Sequence, residues 1–222
     1  MPTRTPRTPY QVFGMSSSGN CHKVRVALDL LELPYRWNEI DLMQGQTRTP
    51  QFLAMNPNGQ VPVLQVAPDT FLTESGAILC YLADGSDLWP AEPLAHARVL
   101  QWMFFEQYSH EPYVAVARFL CLFQKQSDHA RMPELHRRGY RALDVMERHL
   151  AGAGFFVGEH LTIADLALFA YTHRADEGGF DLQPYPAIRA WLARCEQQPR
   201  VTVMPPGGPG AEPAGAPGGP RS

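Results

Sequence analysis

A Val-Pro pair placed shortly before a Glu-Ser pair constrains this chain more than any other feature. Residues 56–64 form a loop that enters a strand through the Val61-Pro62 bond, and after a hairpin a helix begins at Glu74-Ser75. A cis bond at Pro62 would leave the N–H and C=O of Val61 facing outward. An extended ligand backbone could then pair with them as an added strand does. A ligand carboxylate near Ser75 would meet the free amides and the positive end of a helix. The pattern therefore predicts a receptor for a peptide-like ligand.

The residues around this block predict an α/β domain. Cys21, Val24 and Leu28 recur at helical spacing after a polar turn, and Pro34 ends that helix. The expected elements, in chain order, are a strand over 10–14, a turn over 16–20, a helix from 21, a strand over 35–42, a short helix over 50–54, a hairpin over 63–72 and a helix over 74–82. Their order is β-α-β-α-β-β-α.

The two pairs, in this order of elements, resemble the glutathione-binding half of the cytosolic glutathione S-transferase superfamily. The resemblance implies a thioredoxin-like N-terminal domain, an all-α C-terminal domain and glutathione as co-substrate. In that family the Val-Pro loop holds the cysteinyl part of glutathione, and the Glu-Ser pair holds its γ-glutamyl end. The glutathione-binding residues that the match implies are Asn20, Arg48, Gln60, Val61, Pro62, Glu74 and Ser75.

Arg48 and Asn20 each have a plainer alternative. Related serine-using enzymes place a basic residue at the position of Arg48 for the glycine carboxylate, and a guanidinium can hold a carboxylate through two parallel hydrogen bonds. By itself, however, a surface arginine is only a solvated charge. Asn20 can donate to the sulfur or bind an anion, and otherwise it is a cap or turn residue.

The resemblance places the catalytic hydroxyl at Ser18, as in serine-using classes of bacterial type that are phi-like or theta-like. A hydroxyl that donates a hydrogen bond to the glutathione sulfur favours the thiolate, which is the nucleophile. The helix that follows adds positive potential. Ser18 is otherwise a helix N-cap. Ser16, Ser17 and Asn20 compete for the same role, because one sequence leaves the register uncertain by one or two residues.

Cys21 completes a Ser-x-x-Cys pattern that has thioredoxin spacing with the first sulfur replaced by oxygen. Dithiol exchange needs both sulfurs, so the pattern argues against protein disulfide reduction. Cys21 also lies on the apolar stripe of its helix, which favours a buried small hydrophobe. The four cysteines and eight histidines show no metal-ligand spacing, and we expect reduced thiols and no metal site.

The second half of the chain predicts a helical domain. A Gly-, Ser- and Pro-containing linker over 85–92 separates a first domain over 9–84 from helices over 93–203. Pro112 predicts a break in a long helix around His110 to Pro112. Tyr108 and Tyr113, beside that break, are candidates for the wall of an electrophile pocket. Thr162 and Asp165 have the spacing of a capping box, which resembles the family's structural N-cap.

Composition limits the partners. A net charge of -3 without a basic run argues against nucleic acid. No apolar segment is long enough to span a bilayer and no leader opens the chain, so we expect a soluble, cytoplasmic protein. Residues 1–8 and 204–222 are rich in Pro, Gly, Ala and Thr, and we expect both to be disordered and dispensable.

The sequence predicts a glutathione transferase that conjugates glutathione to small apolar electrophiles, and the resemblance implies a homodimer. Peroxide reduction, dehalogenation and double-bond isomerisation remain open, because all begin with the same thiolate. A non-catalytic binding module on the same fold is the further alternative. The identity of the electrophile does not follow from the sequence.

Overall fold

The computed structural model describes residues 8–207, and the predicted tail segments 1–7 and 208–222 lie outside the described residues. The strands are β1 (Tyr10–Gly14), β2 (Tyr35–Glu39), β3 (Val63–Ala67) and β4 (Thr70–Thr73). The α-helices are α1 (Gly19–Leu30), α2 (Pro50–Met55), α3 (Ser75–Ala83), α4 (Pro93–Phe105), α5 (Glu111–Leu122), α6 (Met132–Leu150), α7 (Ile163–Thr172) and α8 (Pro186–Glu196).

The N-terminal part is an α/β unit around one four-stranded sheet in the order β2-β1-β3-β4. β1 and β2 are parallel, as a β-α-β crossover requires, and the other neighbours are antiparallel. Val12 of β1 pairs with Leu64 of β3, and both belong to the main core, whereas Val63 packs on the opposite face with Phe52 of α2. This alternation gives the sheet two covered faces.

The helical part shares its core with the α/β unit. α1 packs against both α3 and α7, and Val24 and Leu28 of α1 lie in one buried cluster with Leu168 of α7. The predicted thioredoxin-like domain followed by an all-α domain is therefore confirmed. The first turn of α1 consequently contacts side chains of the helical domain, as Asn20 does with Glu111 and Tyr171.

The long helix that follows the linker is interrupted close to the predicted position. A single π-helical turn (Glu106–His110) joins α4 to α5, and Pro112 lies in the first turn of α5. Proline is tolerated there because an N–H at a helix start lacks an intrahelical partner. Glu106 in this turn is buried and forms an ion pair of 2.8 Å with Lys23 of α1.

The predicted capping box is present at the start of α7. The Thr162 hydroxyl accepts a hydrogen bond from the N–H of Ala164, and Asp165 accepts from the N–H and hydroxyl of Thr162. The other Asp165 oxygen accepts from the Phe156 N–H at 3.0 Å and the Trp191 indole at 2.9 Å. Burial raises the pKa of Asp165, although these four donors favour its charged form.

The packed chain extends past the predicted domain end at 203. Met204 is fully buried, its N–H donates to His173, and its C=O accepts from Arg174. The Gly207 N–H donates to Glu177 at 2.8 Å. Composition alone does not reveal such contacts, because they depend on one apolar side chain, Met204, that packs on the core.

Within residues 8–207, no helix combines the length and apolarity that crossing a membrane requires. In the same range no three His, Cys, Asp or Glu side chains are grouped so that they could hold a metal ion. All four cysteines are free thiols.

Candidate functional site

Ser18 caps α1, and its hydroxyl hydrogen-bonds both the N–H and the thiol of Cys21. The residue has extended backbone angles, with φ -85° and ψ 126°, and its Oγ accepts a hydrogen bond from the Cys21 N–H at 3.4 Å. The Ser18 hydroxyl also bonds to the Cys21 thiol, and sulfur is a weak acceptor that an incoming anion can replace. The cap role and the role of a donor to an incoming anion are thus compatible at this residue.

The neighbouring serines are differently engaged. The Ser16 hydroxyl donates to Glu39 at 2.6 Å and accepts from Arg25 at 2.9 Å, and its N–H also donates to Glu39. Its single proton is therefore committed within the protein. The Ser17 carbonyl accepts from Arg118 at 2.9 Å. These contacts favour Ser18 over Ser16 as the hydroxyl that can meet a ligand.

The Val61 edge lies beside the first turn of α1. The Val61-Pro62 bond is cis, and Val61 packs in a small buried cluster with Met15 and Cys21. Within the described chain, neither the N–H nor the C=O of Val61 bonds to another backbone group outside the helices and strands. Asn56 shapes the approach to this edge by donating to the Gln60 C=O at 2.8 Å. Among the described residues, the N–H and C=O of Val61 are therefore left without a backbone partner.

Arg48 lies over the loop that precedes this edge. Its guanidinium donates to the Asn58 C=O at 3.4 Å and occupies the space beside Gly59, where a Cβ would lie 2.4 Å from a guanidinium nitrogen. Gly59 also has a φ of +64°, so a side chain at this position would both clash with Arg48 and strain the backbone. The predicted residues Arg48 and Gln60 are both exposed, Arg48 in the turn before α2 and Gln60 in the loop after it.

The start of α3 joins the same site. Glu74 is exposed, makes no side-chain cap bond and has a φ of 66°, which is uncommon for a residue with a side chain. Ser75 is buried, and its hydroxyl donates to the Asn20 Oδ1 at 3.3 Å. Asn20 in turn donates from Nδ2 to Glu111 at 3.3 Å. An ionised Glu111 can only accept, which fixes the orientation of the Asn20 amide between them.

Three residues of the helical domain contact this region and were missed by sequence reasoning. Glu111 holds Asn20, Arg118 holds Ser17, and the Tyr171 hydroxyl accepts from the Asn20 N–H at 3.3 Å. The Tyr171 ring lies so close to Gly19 that a Cβ there would be 2.6 Å away. No local motif marks these residues, because each acts through the packing of one domain on the other. Burial raises the pKa of Glu111.

Cys21 is the buried small hydrophobe that its helical position predicted. Its side chain is fully buried, the Met15 N–H donates to its sulfur at 3.4 Å, and burial raises its pKa to about 12. The thiol is therefore protonated at neutral pH and unreactive.

Tyr108 and Tyr113 line a groove of about 410 Å³ with Arg137, Arg138 and Arg141. Tyr108 is exposed, and the Tyr113 hydroxyl accepts from Arg138 at 2.8 Å. Among the described residues, no hydrogen bond, ion pair or ring contact joins either tyrosine to the Ser18 turn. Their place in an electrophile pocket remains a prediction.

The geometry brings together the Ser18 hydroxyl at a helix start, the Val61 backbone just before β3 and the start of a second helix, α3. Such a site can bind an extended anionic peptide and stabilise a thiolate at its centre. The protein-family model for the glutathione S-transferase N-terminal domain matches residues 8–84, and the family model for the C-terminal domain matches residues 130–194. The chain belongs to the glutathione S-transferase superfamily.

Solved and curated relatives agree with this membership. A glutathione S-transferase from Pseudomonas fluorescens Pf-5 is 54% identical, with a TM-score of 0.86 over 89% of this chain and 99% of that one. Disulfide-bond oxidoreductase YfcG of Escherichia coli K12 is 29% identical over 81% of this chain and 87% of its own. A structure of Ure2p in complex with glutathione is 26% identical, with a TM-score of 0.80 over 89% of this chain and 93% of that one.

Proposed function

We propose that this protein is a glutathione transferase of a serine-using class, phi-like or theta-like, that conjugates glutathione to small apolar electrophiles. The observation that carries the proposal is the Ser18 hydroxyl, which caps α1 and has as its side-chain partner only the Cys21 thiol, a weak acceptor that a ligand thiolate can replace. A hydrogen bond from that hydroxyl lowers the pKa of the glutathione thiol, and the helix start adds positive potential. The resulting thiolate then attacks the electrophile, whose leaving group departs as the new carbon–sulfur bond forms.

The binding roles follow from the geometry of the peptide-like ligand. The cysteinyl unit pairs with the free N–H and C=O of Val61, next to cis Pro62. Glu74 and Ser75 receive the γ-glutamyl end at the start of α3, and Arg48 receives the glycine carboxylate, with Gln60 beside it. Asn20 lies between Ser75 and Glu111, and its two hydrogen bonds hold the start of α1 against the starts of α3 and α5.

The names of relatives leave more than one activity open. The relative from Escherichia coli is named a disulfide-bond oxidoreductase, whereas a solved Ure2p binds glutathione. A protein dithiol mechanism is disfavoured here because Cys21 is buried and position 18 holds a serine, so the second sulfur of a redox pair is missing. Glutathione-dependent peroxidase, dehalogenase or isomerase activity, and a non-catalytic binding module, are the alternatives that the assay below separates.

We also propose a cytoplasmic homodimer. Phe104 and Tyr108 are large apolar side chains that stay 68% and 83% exposed on successive turns of the long helix. A second copy of the chain can cover them. The four free thiols suit a reducing compartment.

The test is a panel of electrophiles, peroxides, haloalkanes and disulfides assayed with glutathione, alongside calorimetric binding of glutathione. The proposal predicts conjugation of at least one apolar electrophile, with kcat reduced by Ser18→Ala and unchanged by Ser17→Ala. Turnover of a peroxide or disulfide alone would replace conjugation by another thiolate reaction. Binding without turnover of any substrate would favour the binding module.

A further inference from the structure

Arg118 holds the residue that precedes the catalytic serine. Its side chain comes from α5 in the helical domain, is only 2% exposed, and donates from Nη1 to the Ser17 C=O at 2.9 Å. The other end of the same peptide unit is also held, because the Ser18 N–H donates to the Met15 C=O at 2.9 Å. The peptide plane that sets the direction of the Ser18 side chain is thus fixed at both ends.

Arg118 is itself fixed from a third direction. Its Nε donates to Glu177 at 2.6 Å, and the second Glu177 oxygen accepts from the Gly207 N–H at 2.8 Å. Glu177 belongs to a 3₁₀ turn (Ala175–Gly178) that packs closely on α5. A Cβ at Gly178 would lie only 2.9 Å from the backbone nitrogen of Arg118. A planar guanidinium can serve a carbonyl and a carboxylate at once with little freedom.

The charge of Arg118 is less important than its geometry. The Glu177 carboxylate lies at 2.6 Å, and opposite charges at that separation largely cancel each other's field at a more distant sulfur. What remains local to Arg118 is the hydrogen bond to Ser17. A displacement of about 1 Å in a reacting group can cost on the order of 100-fold in rate, so losing this hydrogen bond can slow catalysis strongly.

We propose that Arg118 is a positioning residue for Ser18, which holds the Ser17-Ser18 peptide so that the hydroxyl points at the glutathione sulfur. This inference rests on the proposed function, because it needs a thiolate at Ser18. It also gives the helical domain a role in catalysis, through the hydrogen bond from Arg118 to the Ser17 C=O.

The test separates position from folding. Arg118→Met alone leaves Glu177 buried without its cation, which can unfold the protein for reasons unrelated to catalysis. The double variant Arg118→Met with Glu177→Leu removes both charges and keeps an apolar fill. We expect it to unfold cooperatively, to bind glutathione within about threefold of the parent, and to lose about 10- to 100-fold in kcat, a loss of the size that a misplaced catalytic group causes. The thiol pKa of bound glutathione should rise by about one unit, since the hydrogen bond to the charged form is weakened.

Two further variants make the outcome decisive. Arg118→Lys keeps the charge but offers a single ammonium for two partners, and we expect about a tenfold loss in kcat. Arg194→Met is the matched control, because Arg194 on α8 also donates to a loop carbonyl, that of Gly154 at 2.9 Å, and should behave as the parent. A folded double variant with the parental thiol pKa and kcat would overturn the inference, as would a fully active Arg118→Lys. If the parent itself shows no bound thiolate, the proposed function and this inference both fall.

Discussion

At the scale of single residues, the site depends on how each hydroxyl uses its one proton. The Ser16 hydroxyl donates to the Glu39 carboxylate and the Ser75 hydroxyl to the Asn20 amide oxygen, whereas the side-chain partner of the Ser18 hydroxyl is the weakly accepting Cys21 thiol. A sequence cannot distinguish these three serines, because their difference lies in partners from distant segments. The choice of Ser18, which the resemblance implies, stays a prediction.

Replacing Ser75 by Ala should weaken glutathione binding by about 1 to 3 kcal/mol, because the hydroxyl both orients Asn20 and meets the charged γ-glutamyl end. Glu74→Ala should have an effect of similar size. Isothermal titration calorimetry measures both. Ser86→Ala is the matched control, since the Ser86 hydroxyl donates to the Ala83 C=O at the other end of α3. Equal dissociation constants for all these proteins would remove Glu74 and Ser75 from the site.

At the scale of elements, local signals were readable and long-range ones were not. The capping box at Thr162 and the break near Pro112 follow from residues a few positions apart, and the structure contains both. Strand β2 ends at Glu39, before the predicted residue 42, because the alternation continues into a turn in which the Asp41 carboxylate accepts backbone bonds. The burial of Met204 and the contacts of Arg118 depend on tertiary packing alone.

Asp165→Ala should destabilise the fold by about 3 to 5 kcal/mol, because it leaves four buried donors without their acceptor: the N–H groups of Phe156 and Thr162, the Thr162 hydroxyl and the Trp191 indole. Asp165→Asn keeps the shape and some of the acceptors, so its loss should be smaller. Urea unfolding followed by tryptophan fluorescence gives both values. A cost below about 1 kcal/mol for Asp165→Ala would show that the box is an ordinary surface cap.

At the scale of the whole molecule, the helical domain completes a site that begins in the other domain. Glu111, Arg118 and Tyr171 reach the first turn of α1 from three places on two helices. The motifs of the sequence predicted the α/β half of the candidate site, whereas no pattern pointed to these three residues. Residues that act across a domain interface are determined by the relative placement of the domains, which no short motif encodes.

The buried histidines predict a loss of stability in acid. Burial lowers the pKa of His22 and His110 to about 3 and that of His173 to about 4. The unfolded chain takes up protons near pH 6.5, so stability is complete above that value and falls as the pH drops towards 4. The raised pKa values of Asp29, Glu111 and Asp165 act in the opposite direction.

A single substitution isolates this histidine effect. Between about pH 5.5 and 4, His22→Met should reduce the slope of unfolding free energy against pH by about 1.4 kcal/mol per unit, since one titrating group is removed. Chemical denaturation across that range measures the slope. His160→Met, at an exposed histidine, is the matched control. Parallel curves for the parent and His22→Met would contradict the prediction.

Assembly is the remaining property of the whole molecule. If a second copy covers Phe104 and Tyr108, then Phe104→Glu should shift the protein from dimer to monomer in sedimentation equilibrium, because a charge would be buried in the interface. Leu94→Glu, at a residue that is also 56% exposed but lies at the far end of α4, serves as the control. A parent that sediments as a monomer would remove the homodimer.

The most direct measurement is the ionisation of bound glutathione. Thiolate absorbance near 240 nm, titrated against pH with saturating glutathione, reports whether the protein lowers the thiol pKa below that of the free tripeptide. We expect a clear lowering in the parent and in Ser17→Ala, and most of it to be lost in Ser18→Ala, since the hydroxyl supplies the hydrogen bond to sulfur. An unchanged thiol pKa in the parent, or the same lowering in Ser18→Ala, would contradict the assignment of this site.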